Sequence, residues 1–142
     1  MKKFRFGFLV LFITLSAFAS DKTDFLFVEN VEADCAFSPV QAEYKRSKAV
    51  FVGKVINVVE KGDSKIYEFR VSKYWKGVKG KKIKITTGDT MRFEPNYQMG
   101  KSYLIYAYAG DGTLRTGKCS RGSQVEYAKE DLKLLGKGKT VR

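Results

Sequence analysis

Apolar and polar positions alternate with the period of β structure over most of the chain between residues 49 and 119. Residues 49–59, Ala-Val-Phe-Val-Gly-Lys-Val-Ile-Asn-Val-Val, form the strongest strand pattern. Gly53 inside it predicts a bulge or sharp bend, the device by which one long strand serves both sides of a small barrel. Residues 61–64, Lys-Gly-Asp-Ser, are a turn. Residues 65–75 then alternate, with Tyr67, Phe69, Val71 and Trp75 on one face and Glu68, Arg70 and Ser72 on the other. A turn over 77–81 leads to Lys82-Ile83-Lys84-Ile85-Thr86, a third short strand with its lysines outward. The connection 88–100 contains Phe93, Pro95 and Tyr97 and reads as a functional loop or as an ordinary barrel crossover. In residues 102–119, two runs rich in aromatic and β-branched residues flank Gly110-Asp111-Gly112, which predicts a hairpin supplying strands four and five and ending on Cys119.

Helical signals flank this β pattern. Ser38-Pro39-Val40-Gln41 predicts a helix start with Ser38 as cap, Pro39 at the first helical position and one short turn running to Ser47. Ser123-Gln124-Val125-Glu126 reads as a second capping box, after which Val125, Ala128, Leu132 and Leu135 form one apolar stripe that Gly136 ends. Five strands, the first long and bent, followed by a helix, predict an all-β domain with a C-terminal helix: a five-stranded Greek-key barrel of the OB type.

The ends of the chain differ from the middle. Residues 1–19 combine a basic start, an apolar run and Ala17-Phe18-Ala19, the pattern of a secretory signal peptide cleaved after Ala19. The apolar run is shorter than the roughly 20 residues of a membrane span. Residues 20–34 are acidic around Phe25-Leu26-Phe27-Val28 and read as a linker, a stray edge strand or a segment packed back on the domain. The domain proper is expected over 35–136, with a loose basic tail over 137–142.

Charge narrows the partners. The chain has 27 Lys and Arg against 15 Asp and Glu; without Lys2, Lys3 and Arg5 this becomes 24 against 15, or +9. Setting aside the acidic segment leaves 23 against 10, or +13, from Cys35 onward. Such a field attracts polyanions, and export favours an anionic polysaccharide or lipid headgroup over nucleic acid. The plain alternative is that these are solubilising surface charges. Within the excess, Lys76, Lys79, Lys81, Lys82 and Lys84 cluster around one turn and the strand after it and are the candidate binding residues. Tyr106, Tyr108 and Trp75 are candidates for the same face or for the barrel wall. In an exported chain Cys35 and Cys119, the two cysteines, read most simply as one disulfide, the alternative being two unrelated thiols.

The absence of histidine removes Ser-His and Cys-His nucleophile pairs and histidine-ligated zinc. With no phosphate-cradling glycine loop either, neither catalysis nor a cofactor or metal is expected.

Cys35-Ala36-Phe37-Ser38-Pro39-Val40, the strand Ala49-Val50-Phe51-Val52-Gly53-Lys54-Val55, the segment from Phe69-Arg70-Val71 to Trp75-Lys76-Gly77, Tyr103-Leu104-Ile105 and the hairpin from Gly110-Asp111-Gly112 to Cys119 together resemble the netrin-like domain of tissue inhibitors of metalloproteinases (TIMP), especially its short bacterial relatives. The resemblance covers nearly all of residues 35–135 and rests on order and spacing. It implies an OB barrel and a bond between Cys35 and Cys119. In the inhibitors a Cys-x-Cys opens the mature chain and chelates the protease's zinc; here Cys35 matches the second cysteine and Ala33 stands at the first. Thr90-Met91-Arg92-Phe93 also lacks the family's loop cysteine. The resemblance therefore carries the fold and not the inhibitory wedge.

The expected function is a secreted or periplasmic, non-catalytic module that binds a protein or polyanionic partner. The alternative is metalloprotease inhibition through another surface, such as the 88–100 loop. Binding of single-stranded nucleic acid has the basic and aromatic ingredients but is disfavoured by export.

Overall fold

The computed structural model describes residues 36, 38–87, 95–117 and 119–141. The order is α1 (Val40–Arg46), β1 (Ala49–Lys61), β2 (Ser64–Lys76), β3 (Lys82–Thr87), β4 (Ser102–Ala109), β5 (Leu114–Thr116), β6 (Ser123–Gln124), α2 (Lys129–Leu135) and β7 (Lys139–Thr140). Neighbouring strands run β1, β2, β3, β5, β4, and β4 pairs back onto β1, so the five close into a barrel. All of these pairings are antiparallel except β3 with β5. This is the predicted OB-like barrel with a C-terminal helix.

The long first strand does the work of two. Residues 49–54 pair β4, and from Val50 onward β1 also pairs β2 on its other side, so that beyond Lys54 it pairs β2 alone. Three register shifts bend this pair, leaving Ile56 on β1 and Ser72 and Trp75 on β2 without an opposite partner. Gly53 lies beside one of these shifts; a Cβ there would sit 3.0 Å from Phe69 Cβ and 3.2 Å from the Arg70 carbonyl, so glycine allows the close crossing of β2. The extra residues change the phase of β2. Tyr67, Phe69 and Val71 face the interior as expected, but Tyr74 joins them and Trp75 turns outward, which corrects the simple alternation through Trp75.

The barrel interior is filled by Ala49, Phe51, Val55, Tyr67, Phe69, Ile85, Tyr103, Ile105 and Ala107, with Tyr97 at its centre. Tyr97 stands edge-on to Tyr67 at 5.0 Å, to Tyr103 at 4.9 Å and to Phe69 at 5.4 Å, and donates to Thr116 Oγ1 at 3.1 Å. Each such ring pair contributes about 0.5 to 1.5 kcal/mol beyond its burial. The described end of the 88–100 connection is thus committed to the core, whereas Phe93 lies outside the described residues.

A second apolar layer lies outside the barrel. Val50 and Val52 of β1 and Leu104 and Tyr106 of β4 point away from the interior and are covered by Tyr44, Val125, Ala128, Leu132 and Leu135. Both capping predictions are corrected here. α1 starts one residue late, with Pro39 at the cap position and no side-chain cap; the Ser38 carbonyl instead accepts from Arg121 Nη1 at 3.0 Å. α2 begins only at Lys129, again without a side-chain cap, because Ser123 and Gln124 are spent as a strand on β4. The stripe residues still meet in one layer, Val125 arriving from a turn rather than a helix. Gly136, at φ +69°, ends α2 as expected, its N–H donating to the Leu132 and Lys133 carbonyls.

The tail is not loose. β3 covers β2 only along residues 65–70, and β7 pairs the open remainder of that edge, Thr140 opposite Lys73 and Lys139 opposite Tyr74, while Val141 packs on the interior cluster. The leader expected over 1–19, the acidic segment 20–34 and Cys35 lie outside the described residues.

Candidate functional site

The outer surface of the barrel divides in two. Where helices cover it the outward residues are apolar; beyond them they become basic. Lys54 on β1 is directly opposite Arg70 on β2, and Arg70 is directly opposite Lys82 on β3. All three are exposed. Adjacent strands lie about 4.8 Å apart, so three cations stand in one row across the sheet. Like charges in directly opposed positions destabilise a sheet. One acid joins the next row: Glu68, opposite Lys84 and Asn57, whose carboxylate pairs with Lys82 Nζ at 3.3 Å.

The five lysines singled out from the sequence do not form one set. Lys82 and Lys84 point outward on β3, on this basic wall. Lys79 and Lys81 are exposed in the turn before β3. Lys76 is drawn into the fold: its Nζ donates to the Tyr44 and Lys45 carbonyls at 2.9 and 3.0 Å and sits 5.1 Å from the centre of the Tyr44 ring. It thereby neutralises the C-terminal end of α1. The aromatic candidates divide similarly. Tyr106 is fully buried and donates to Asp131 Oδ2 at 3.2 Å, and the Trp75 indole N–H donates to the Gly136 carbonyl at 3.0 Å. Tyr108 is half-buried under the Arg46 guanidinium, with its hydroxyl unpartnered.

Folding also recruits basic residues that the sequence reading passed over. Lys54 and Arg70 complete the row, and β7 brings Lys139 to the turn carrying Lys79. Between them lies a groove of about 500 Å³ lined by Tyr74, residues 78–80 and residues 139–141. Among the described residues, no carboxylate pairs with Lys79, Lys81, Lys137 or Lys139. A sequence signal for this existed: residues 69–88 contain seven basic residues and no acid, and no acid follows Asp131.

The strongest polar network serves the helical layer. Arg121 grips Asp131 with two bonds of 2.7 Å, Nε to Oδ2 and Nη2 to Oδ1, while Ser120 Oγ donates to the Tyr106 carbonyl at 2.9 Å. The hydrogen bond to Asp131 raises the Arg121 pKa further, and burial beside the same carboxylate pushes the Tyr106 phenol well up. Burial likewise pushes Tyr97 up to about 12, against the opposing effect of its bond to Thr116. Glu43, fully buried, pairs with Arg46 and leaves Oε1 unpartnered. Among the described residues, no three His, Cys, Asp or Glu side chains gather as metal ligands, and no helix is long and apolar enough to cross a membrane. Comparison with protein-family models and with curated proteins finds no match.

Proposed function

We propose that the chain is an exported, non-catalytic binding module of the netrin-like type that recognises a polyanion through the open basic wall of its barrel. The row Lys54, Arg70, Lys82 carries this reading. Three opposed cations weaken the sheet on their own and become favourable when a row of anionic groups lies across them. The barrel agrees with the fold that the resemblance implies. The reading includes a bridge between Cys35 and Cys119. It is supported by the contact of Arg121, two residues beyond Cys119, with the carbonyl of Ser38, three residues beyond Cys35.

The test is retention on an immobilised sulfated polysaccharide. A variant carrying Lys54→Glu, Arg70→Glu and Lys82→Glu is compared with one carrying Lys61→Glu, Lys129→Glu and Lys133→Glu, which changes net charge equally at exposed sites elsewhere. The wall variant is expected to bind at least about tenfold more weakly than the control variant. Equal losses would mean that only net charge matters and would overturn the reading. The intact mass of the exported protein checks the rest: a chain starting at Ser20 and lighter by the two thiol hydrogens is expected.

A further inference from the structure

We infer that the groove between residues 78–80 and the C-terminal strand is a subsite for an anionic sugar ring, continuous in ligand with the basic wall but separate from it in structure. The inference rests on the polyanion reading above and specifies which polyanion.

The groove is open to solvent, and its volume of about 500 Å³ leaves room for a sugar ring to lie along it. Its lining is of two kinds. Tyr74, Val78 and Val141 supply an apolar surface, and Lys79 and Lys139 supply ammonium groups with no carboxylate partner among the described residues. A sugar ring matches both at once, because its C–H face is apolar while a carboxylate or sulfate at its edge is anionic. Polyphosphate matches only the lysines. An acidic peptide also matches the lysines and is the competing occupant.

The site exists only through the tail. β7 makes two ladder pairs with β2, and its approach depends on Gly138, where a Cβ would lie 2.7 Å from Lys73 Cγ and 2.9 Å from Trp75 Cε2. Gly80, on the opposite wall, has nothing within 4 Å of a Cβ built on it and a φ outside the left-handed region. A large side chain is therefore accommodated there without strain, at a position that lines the groove.

That position gives a test that leaves charge untouched. In the full-length exported protein, binding of a sulfated, uronate-containing hexasaccharide is measured by calorimetry for wild type, Gly80→Phe and Lys139→Glu. Polyphosphate, polyglutamate and neutral maltohexaose are run alongside, and thermal melts verify folding. Gly80→Phe is expected to weaken the hexasaccharide at least about tenfold while leaving polyphosphate within about twofold, and Lys139→Glu to weaken both. Wild-type affinity of Gly80→Phe for the hexasaccharide overturns the subsite while leaving the wall reading intact. So does polyglutamate binding more tightly than the hexasaccharide with the same dependence on Gly80. If wild type binds neither the hexasaccharide nor polyphosphate, both readings fail.

Discussion

The two outer walls of the barrel meet on β1 and differ in what covers them: one lies beneath the helical layer and the other faces solvent. On β1, Val50, Val52 and Lys54 all point outward; the first two lie beneath the helical layer and the third stands in solvent opposite Arg70. The change comes within two residues, at the edge of the area that α1 and α2 cover. Burial demands apolar shape complementarity on one side of this line. On the other side no described residue packs over Lys54, Arg70 and Lys82, so their charge stays hydrated, which is what the proposed polyanion binding requires. The covered wall should thus be sensitive to volume and polar satisfaction and indifferent to salt, and the open wall the reverse.

Substitutions that break this contrast follow in order of expected size. Leu104→Ala, in the centre of the covered wall and fully buried, should destabilise by about 3 to 4 kcal/mol in urea unfolding, whereas Leu134→Ala, half exposed at the helix surface, should cost under about 1 kcal/mol. Asp131→Ala removes one carboxylate, leaving the Tyr106 hydroxyl unpaired and the Arg121 guanidinium with its bond to the Ser38 carbonyl but no counter-charge, so a loss of about 2 to 3 kcal/mol is expected. A result below about 1 kcal/mol would show that the network is relaxed by water.

The interior carries a pH dependence of its own. Tyr97 titrates higher in the folded chain, at about 12, than in the unfolded chain, near 10. Its contribution is fully present below pH 10 and is lost as pH rises toward 12, because the unfolded state releases the proton first. The two-unit difference corresponds to about 2 to 3 kcal/mol. Tyr97→Phe should flatten the decline between pH 10 and 12 in a series of melts. The smallest effect belongs to the open wall. Arg70→Gln relieves two like-charge oppositions and should change stability by only about 0.3 kcal/mol, in the stabilising direction, as thermal melts at low salt would detect. A destabilisation above about 1 kcal/mol would mean that the wall is structural after all.

Much of the barrel was legible because strand patterns are local. Alternation alone placed Tyr67, Phe69 and Ile85 on the interior face, and Gly62, at φ +59°, turns where the Lys-Gly-Asp-Ser segment predicts. Errors arose where distant chain supplied an alternative. Ser123 and Gln124 carry the pattern of a capping box, but the open edge of β4 offers them ladder hydrogen bonds instead. The tail has too few apolar residues to predict structure, yet the uncovered end of β2 accepts it. Lys76 looked like a surface charge until the end of α1 was placed beside it. The site was only partly legible, since a charge run indicates a basic region without saying which cations face the same way.

By itself the sequence determined the five strands, the all-β class they imply and the terminal glycine stop of α2, since each is read from patterns a few residues long, and the excess of positive charge, which is a property of composition alone. The tertiary structure alone decided the phase change that sends Trp75 outward, the row of Lys54, Arg70 and Lys82, and the joining of Lys79 to Lys139. These depend on register between segments far apart in the chain, and register is settled by how bulges, edges and helices share the limited surface of one small barrel.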